Sequence, residues 1–202
     1  QALDALTSGA ENVAIGYQAA MANITGANVI AIGHGAMDAT GATNAQDSGH
    51  NIFIGTDSGG GTWAAATSQY NTAIGHLTMD AVMNGAVGNT ALGYNTLGAL
   101  TTGDSNIAIG KQTMLLNTTG SDNVAIGNDA LGTNATTAGN TAIGGGAGYN
   151  TTGANNTYVG KDCANGGVGA DASNVGVGKD ALKVITSATE NVSIGATSGD
   201  AI

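Results

Sequence analysis

A five-residue unit recurs along the chain at a spacing close to 17 residues. It begins with Asn, ends with Gly and has a β-branched or aliphatic residue at its second and fourth positions. A regular period of this length indicates supersecondary units that bury a face only by stacking on their neighbours. An eleventh copy carries Val29 in place of the Asn and ends at Gly33. The ten complete copies are bounded by Asn12 and Gly16, Asn51 and Gly55, Asn71 and Gly75, Asn89 and Gly93, Asn106 and Gly110, Asn123 and Gly127, Asn140 and Gly144, Asn156 and Gly160, Asn174 and Gly178, and Asn191 and Gly195.

The unit predicts a short β-strand that ends at a glycine corner. Alternate residues of a strand point to the same face, so we expect the second and fourth positions to face the interior. The third position is usually Ala but tolerates Phe53 and Tyr158, which indicates a less enclosed face. The predicted buried row is Ile15, Ile32, Ile54, Ile74, Leu92, Ile109, Ile126, Ile143, Val159, Val177 and Ile194.

The second half of each repeat also has a pattern. Three residues after the Gly the side chain is always small, as in Ala36, Thr113 and Cys163, and suits a tight inner corner. The pattern predicts a second short strand and then a polar return loop. A Leu or Met often follows the small residue, and we expect this series to lie outside the thin core: Met37, Met79, Leu97, Met114, Leu131 and Leu182.

These features predict an all-β fold, a parallel β-solenoid of about eleven coils of roughly 17 residues. Residues 1–202 form one repeat array, with irregular coils and longer loops over 34–70, where the Gly spacing rises to 22 and then 20. No 3.6-residue apolar period persists, which argues against helices. Stacking at ~4.8 Å per strand predicts a rod roughly 50 Å long. The recurring Asn is explained either by an amide ladder along the rod or by its tolerance of turn conformations.

Composition excludes several functions. The net charge is −10, with four Lys and no Arg, whereas nucleic-acid binding needs clustered cations. No apolar window is long enough for a membrane span, so we expect no membrane insertion by this segment. Aromatic residues make up 3% of the chain and hydrophobic residues 42%, which predicts a thin core rather than disorder.

The residues that could carry chemistry do not form a convincing site. Gly176-Val177-Gly178 fits a dinucleotide fingerprint, but its glycines belong to the repeat and no helix is expected after them. One calcium-type nonapeptide begins at Gly166 and lacks tandem copies. His34, His50 and His76 track the repeat and predict stacking at coil corners. We expect no enzyme activity, no catalytic or metal site and no cofactor, with Cys163 as a small core residue.

The unit and its small residue followed by Leu resemble the head repeats of trimeric autotransporter adhesins (the Yersinia adhesin type). They are equally similar to repeats of bacteriophage tail fibres. The resemblance covers nearly the whole chain and implies a left-handed β-roll packed side by side as a homotrimer. The family's repeats are commonly shorter, so longer return loops are expected here. The Leu and Met series, if unburied, favours a trimer as well, because exposed apolar stripes are uncommon on monomers.

The implied function is a structural or adhesive segment of an extracellular fibre that attaches to a host or surface, with a cell-surface receptor or glycan as a further partner. Both ends of the chain read as interrupted coils, so we expect a piece of a longer fibre chain. Whether that fibre is a phage tail fibre or a bacterial adhesin stays open.

Two other classes of function are weighed against the fibre: a glycan- or ice-binding solenoid, and a carbohydrate-processing fibre domain. The Thr array that ice binding needs is interrupted by Val and Ile. No pair of carboxylates stands out for glycoside cleavage. Trp63, the only Trp, lies in the irregular region and is interpreted either as a surface contact or, preferably, as packing.

Overall fold

A computed structural model describes residues 1–38, 48–64, 66–166, 172–185 and 188–199. The described residues contain no helix and form one parallel sheet of eleven strands, each paired with its neighbours in sequence. The predicted all-β solenoid is confirmed, with one three-residue strand per coil. The strands are β1 (Val13–Ile15), β2 (Ile30–Ile32), β3 (Ile52–Ile54), β4 (Thr72–Ile74), β5 (Thr90–Leu92), β6 (Ile107–Ile109), β7 (Val124–Ile126), β8 (Thr141–Ile143), β9 (Thr157–Val159), β10 (Val175–Val177) and β11 (Val192–Ile194).

Equivalent positions of the unit pair in register along the whole sheet. In the pairing of β6 with β7, for example, Ala108 lies opposite Ala125 and Ile109 opposite Ile126. Each position of the unit therefore becomes a column of side chains that runs along the rod.

The orientation of the strands is the reverse of the prediction. The third position faces the core, and the second and fourth positions face outward. The predicted buried row is wrong throughout: Ile15, Ile32, Ile54, Ile74, Leu92, Ile109, Ile126, Ile143, Val159, Val177 and Ile194 are all half-buried or exposed. The side chains that are buried instead are Ala31, Phe53, Ala73, Ala91, Ala108, Ala125, Ala142 and Tyr158.

The expectation for the Leu and Met series is also wrong, because these side chains fill the core opposite the third position. Met37, Met79, Leu97, Met114, Leu131 and Leu182 are fully buried. The coil is narrow, so a large side chain from this series leaves room only for Ala on the strand.

Two coils show the same volume balance with the sizes exchanged. Phe53 shares its coil with Gly59, where an added Cβ would lie 2.6 Å from the Phe53 ring. Tyr158 shares its coil with Ala164, and Gly148 of the preceding coil also packs on the Tyr158 ring. A large residue on the strand therefore goes with a small one in the Leu and Met column, as dense packing requires.

The second half of each coil is a series of turns rather than the predicted second strand. The second and fourth residues after each Gly adopt left-handed backbone angles, such as φ 55° at Gln112 and 49° at Met114. The N–H of Gln112 donates to Tyr94 of the preceding coil, and the N–H of Met114 donates to Ala130 of the following coil. This alternation pairs the turns between coils, whereas an extended strand would need negative φ at both residues.

The small residues between these positions lie at a tight inner corner, as predicted. The N–H of Ala130 donates to the carbonyl of Gly127 in its own coil at 3.3 Å. Every coil except the last buries this side chain, and Cys163 occupies the slot as predicted. The fully buried members are Ala19, Ala36, Ser58, Thr78, Thr96, Thr113, Ala130, Ala147, Cys163 and Ala181.

The recurring Asn residues form an amide ladder. The backbone N–H and the side-chain Nδ2 of Asn106 both donate to Oδ1 of Asn89 at 3.0 Å. Nδ2 of Asn106 also donates to the carbonyl of Gly120 at 2.8 Å. The same pair of bonds links successive members through Asn51, Asn71, Asn89, Asn106, Asn123, Asn140, Asn156, Asn174 and Asn191.

Val29 separates Asn12 from this ladder. Its N–H donates to Oδ1 of Asn12 at 2.9 Å, but its side chain has no amide to continue the series. The bonds between successive Asn side chains favour the ladder over simple tolerance of turn conformations as the explanation for the repeated Asn. The ladder satisfies buried backbone groups at the start of the strands.

The corner glycines stack so closely that no side chain fits. Gly93 has a φ of 139°, and an added Cβ would lie 2.4 Å from the carbonyl oxygen of Gly110 in the next coil. Both the backbone angle and the close approach therefore require glycine here.

We expect Gly93→Ala to lower the free energy of unfolding by at least about 2 kcal/mol, because it combines backbone strain with a clash against backbone. Gly145→Ala is the matched control, since its nearest neighbour would be the Asn128 carbonyl oxygen at 3.9 Å. Urea unfolding followed by circular dichroism measures both. Equal stability of the two variants would contradict the stacked corner.

Candidate functional site

The outward side of the sheet presents two columns of side chains, which together we call the aliphatic face. The fourth position of the unit contributes Ile, Val or Leu in all eleven strands. The second position contributes Ile or Val in seven strands and Thr72, Thr90, Thr141 and Thr157 in the others. None of these side chains is fully buried.

Exposure of the aliphatic face persists in the middle of the rod, away from its ends. Leu92 is 45% exposed, Ile107 41% and Ile126 36%, although strands pack on both sides of each. At ~4.8 Å per strand the face is a strip about 50 Å long. Soluble monomers rarely expose a contiguous apolar strip of this kind without a partner.

The aliphatic face is also free of charge. No strand contains Asp, Glu, Lys or Arg, and the charged residues of the described chain lie in the turns and loops. Depletion of charge at the centre and polar residues around it are typical of interaction surfaces.

A cluster of titratable side chains lies in the turn segments that follow Gly33, Gly55 and Gly75. Nδ1 of His34 is 3.8 Å from Oδ1 of Asp57. Burial raises the pKa of Asp80 to about 6, with smaller contributions from the Asp57 and Asp38 carboxylates. Burial and Asp57 also raise the pKa of Asp38. Asp57 thus disfavours the ionised forms of both Asp38 and Asp80.

Each of the three histidines contacts a tyrosine ring, two of them in a tilted and one in a stacked arrangement. The centroids of His34 and Tyr17 are 5.4 Å apart, and those of His76 and Tyr94 are 5.7 Å apart. His50 stacks on Tyr70 at 5.1 Å. These contacts link adjacent coils along the surface. Within the described residues, no group of three or more His, Cys, Asp or Glu side chains is arranged to hold a metal ion.

We expect Asp80→Asn to raise the melting temperature at pH 7.5 and to have little effect near pH 4. The folded pKa of about 6 lies above the ordinary value of 3.8, so folding disfavours the ionised carboxylate. That penalty is fully present above pH 6 and is gone below pH 4, where the group is protonated in both states. Asp122→Asn, at an exposed loop position, controls for the lost charge. A shift that does not depend on pH would contradict this explanation.

Trp63 lies in the core of its own coil. Its side chain is fully buried, its ring meets Phe53 edge to face at 5.6 Å, and its Nε1 donates to the carbonyl of Gly59 at 3.0 Å. A ligand contact would need exposed ring surface, which Trp63 lacks. The packing interpretation accounts for all three observations.

The glycines of the dinucleotide-type motif and Cys163 have structural roles in the solenoid. Gly176 lies in β10, where an added Cβ would lie 2.7 Å from the sulfur of Cys163, and Gly178 forms the next corner. Burial raises the pKa of Cys163 to about 11, so the thiol is protonated and unreactive at neutral pH. Residues 167–171 of the calcium-type nonapeptide, like residues 39–47 of the irregular region, lie outside the described chain.

Sequence reasoning placed the aliphatic face inside and so missed it as a surface. The signal that could have found it is the pairing of Phe53 with Gly59 and of Tyr158 with Ala164 within single coils. Compensating sizes indicate that the third strand position and the Leu and Met column share one interior.

Comparisons with known proteins identify no relative. No protein-family model, curated protein or solved structure matches the chain. No helix in the described residues is long and apolar enough to cross a membrane.

Proposed function

We propose that the chain is a structural and adhesive segment of an extracellular fibre, in which copies of the chain pack side by side through the aliphatic face. The observation that carries this proposal is the uncharged strip of half-exposed Ile, Val and Leu side chains along all eleven strands. The resemblance to adhesin heads and tail fibres supports an extracellular setting and three copies per fibre.

The size of the hydrophobic effect supports association through this face. Covering the exposed half of one Ile contributes about 1 kcal/mol. The eleven aliphatic side chains of the fourth column would then contribute about 10 kcal/mol, with a further contribution from the second column. This is comparable with the cost of association, about 4 to 15 kcal/mol.

A second copy of the chain is the occupant that best matches the strip. Its own face has the same spacing along the same length, so side chains of two copies meet coil by coil. Closed symmetric assemblies of identical chains are also the common outcome for soluble homo-oligomers. The three-fold arrangement is taken from the resemblance, and the argument from the Leu and Met series no longer applies because that series is buried.

Paired substitutions test the face against the rest of the surface. We expect Ile109→Ser with Ile126→Ser to dissociate the oligomer. The control pair is Val82→Ser with Val184→Ser, which removes exposed aliphatic side chains from the return loops, 49% and 45% exposed. Light scattering coupled to size exclusion measures the mass. Equal loss of mass in both pairs, or in neither, would remove the support for the aliphatic face.

A further inference from the structure

The regular surface of the rod is interrupted at a notch beside the eighth coil. The position directly after the corner glycine carries Lys111, Asn128 and Lys161 in neighbouring coils but Gly145 in this one. The next residue is also a glycine, Gly146. The two missing side chains leave an open cavity of about 420 Å³ between the coils before and after.

The walls of the notch are polar and come from the two flanking coils. Asn128 and Asp129 line one side, and Lys161, Asp162 and Asn165 line the other. Nδ2 of Asn165 donates to Oδ1 of Asp162 at 2.7 Å, and the ammonium of Lys161 lies 3.6 Å from Oδ2 of Asp162. Nδ2 of Asn128 donates to Oδ2 of Asp129. These bonds orient the carboxylates while leaving acceptor capacity on each.

An aromatic ring completes the notch. Tyr149 lines the cavity and lies against Gly132, where an added Cβ would come within 2.5 Å of the ring carbon Cε2. The absence of a side chain at Gly132 lets the ring lie close to the backbone of the preceding coil. The notch thus offers one ring beside a group of oriented donors and acceptors.

We infer that this notch binds a neutral sugar residue of a glycan. Carboxylates and amides in fixed orientations accept and donate the hydrogen bonds that sugar hydroxyl groups need, and an aromatic ring packs against their C–H groups. The cavity of about 420 Å³ is within the usual size of small-ligand sites. Asp129 and Asp162 outnumber Lys161, and the chain carries a net charge of −10, so acidic polysaccharides are disfavoured.

The backbone at this site accepts side chains, which makes a sharp test available. Added Cβ at Gly145 meets only the Asn128 carbonyl oxygen, at 3.9 Å. The equivalent position holds Lys in three coils and Tyr in two. Gly145→Lys and Gly145→Tyr should therefore fold normally and fill the notch, whereas Gly145→Ala should leave most of it open.

The experiment is saturation-transfer NMR on the assembled protein with the methyl glycosides of glucose, galactose, mannose and N-acetylglucosamine. We expect at least one to bind at millimolar concentration, with affinity reduced at least about tenfold by Gly145→Lys and by Gly145→Tyr. Gly145→Ala should bind within about threefold of the unsubstituted chain. Melting curves check that all three variants are folded.

Three outcomes would overturn the inference. The first is that none of the four glycosides binds, and the second is that Gly145→Lys and Gly145→Tyr bind them as well as the unsubstituted chain does. The third is that Ca²⁺ occupies the notch and no glycoside competes with it. The inference rests on the adhesive part of the proposed function for its biological setting. Measuring the mass of the same sample distinguishes a failure of the proposed assembly from a failure of the proposed sugar site. Sugar binding by a single chain would contradict only the assembly. An oligomer that binds no sugar would contradict only the sugar site at the notch.

Discussion

Asn106→Asp is expected to lower the free energy of unfolding by about 3 to 5 kcal/mol at pH 7. The substitution replaces Nδ2, which donates to Oδ1 of Asn89 and to the carbonyl of Gly120, by an oxygen that faces both acceptors. It also places a charge at a fully buried position. Denaturant unfolding measures the loss.

The pH dependence of this variant's stability distinguishes the cost of the buried charge from the cost of the lost hydrogen bonds. Burial and the facing acceptors would raise the pKa of the introduced carboxyl above its ordinary value. Its penalty should therefore be largest above that pKa and should shrink at pH 4, where a protonated carboxyl can donate one bond again. Asn191→Asp, at the half-buried end of the ladder, is the control and should cost less. Equal costs for the two variants would mean that the ladder does not contribute as described.

Ala108→Asp is expected to destabilise the chain by about 4 kcal/mol or to prevent folding. Ala108 is fully buried opposite the Leu and Met column, and no cation lies in the strands to pair with a carboxylate there. The carboxylate would also overfill a site that holds a methyl group. Thermal melting by circular dichroism measures the effect.

The adjacent residue provides the matched comparison. Ile109 points to the opposite side of the same strand and is half-buried on the aliphatic face. Ile109→Asp should cost the single chain only about 1 kcal/mol, because the carboxylate reaches solvent, but should disrupt association. The reverse order of stability, with Ile109→Asp the more damaging in the single chain, would restore the strand orientation that the sequence pattern first suggested.

The architecture could be predicted from the sequence because the repeat itself specifies stacking. The unit from Asn106 to Gly110 and its copies predict parallel strands in register, and those strands form. The same pattern predicts the corner at Gly110. A glycine at the same position of every coil stacks on the glycines of the neighbouring coils. The long coil between Gly33 and Gly55 did not disturb the pairing of β2 with β3.

The direction of the side chains could not be predicted from alternation alone. The two-residue alternation of a strand shows that Ala108 and Ile109 lie on opposite faces. It does not show which of the two faces is inside. Choosing the larger side chain for the interior fails here because the coil is too narrow for Ile on the strand and Met114 opposite it. The predicted second strand after each corner glycine is wrong because residues such as Gln112 and Met114 adopt left-handed backbone angles. Such angles are uncommon for residues other than glycine, so the sequence did not indicate them.

The notch depends on a local exception that the repeat obscures. Gly145 and Gly146 look like further members of a glycine-rich pattern, yet their positions carry Asn128 and Asp129 one coil earlier. Only the stacking of coils places Asp162 and Tyr149 around the same opening. Trp63 illustrates the opposite case, a residue that stands out in the sequence and serves packing.

Sedimentation equilibrium of the unsubstituted chain at micromolar concentration tests the central claim, that other copies of the chain cover the aliphatic face. We expect a mass of three times the 19.4 kDa of one chain, and the mass of one chain for the variant with both Ile109→Ser and Ile126→Ser. A dimer would keep the covered face and correct the number of copies. A folded species of 19.4 kDa would contradict the claim, because the strip of Ile, Val and Leu would then be stable in water without a partner.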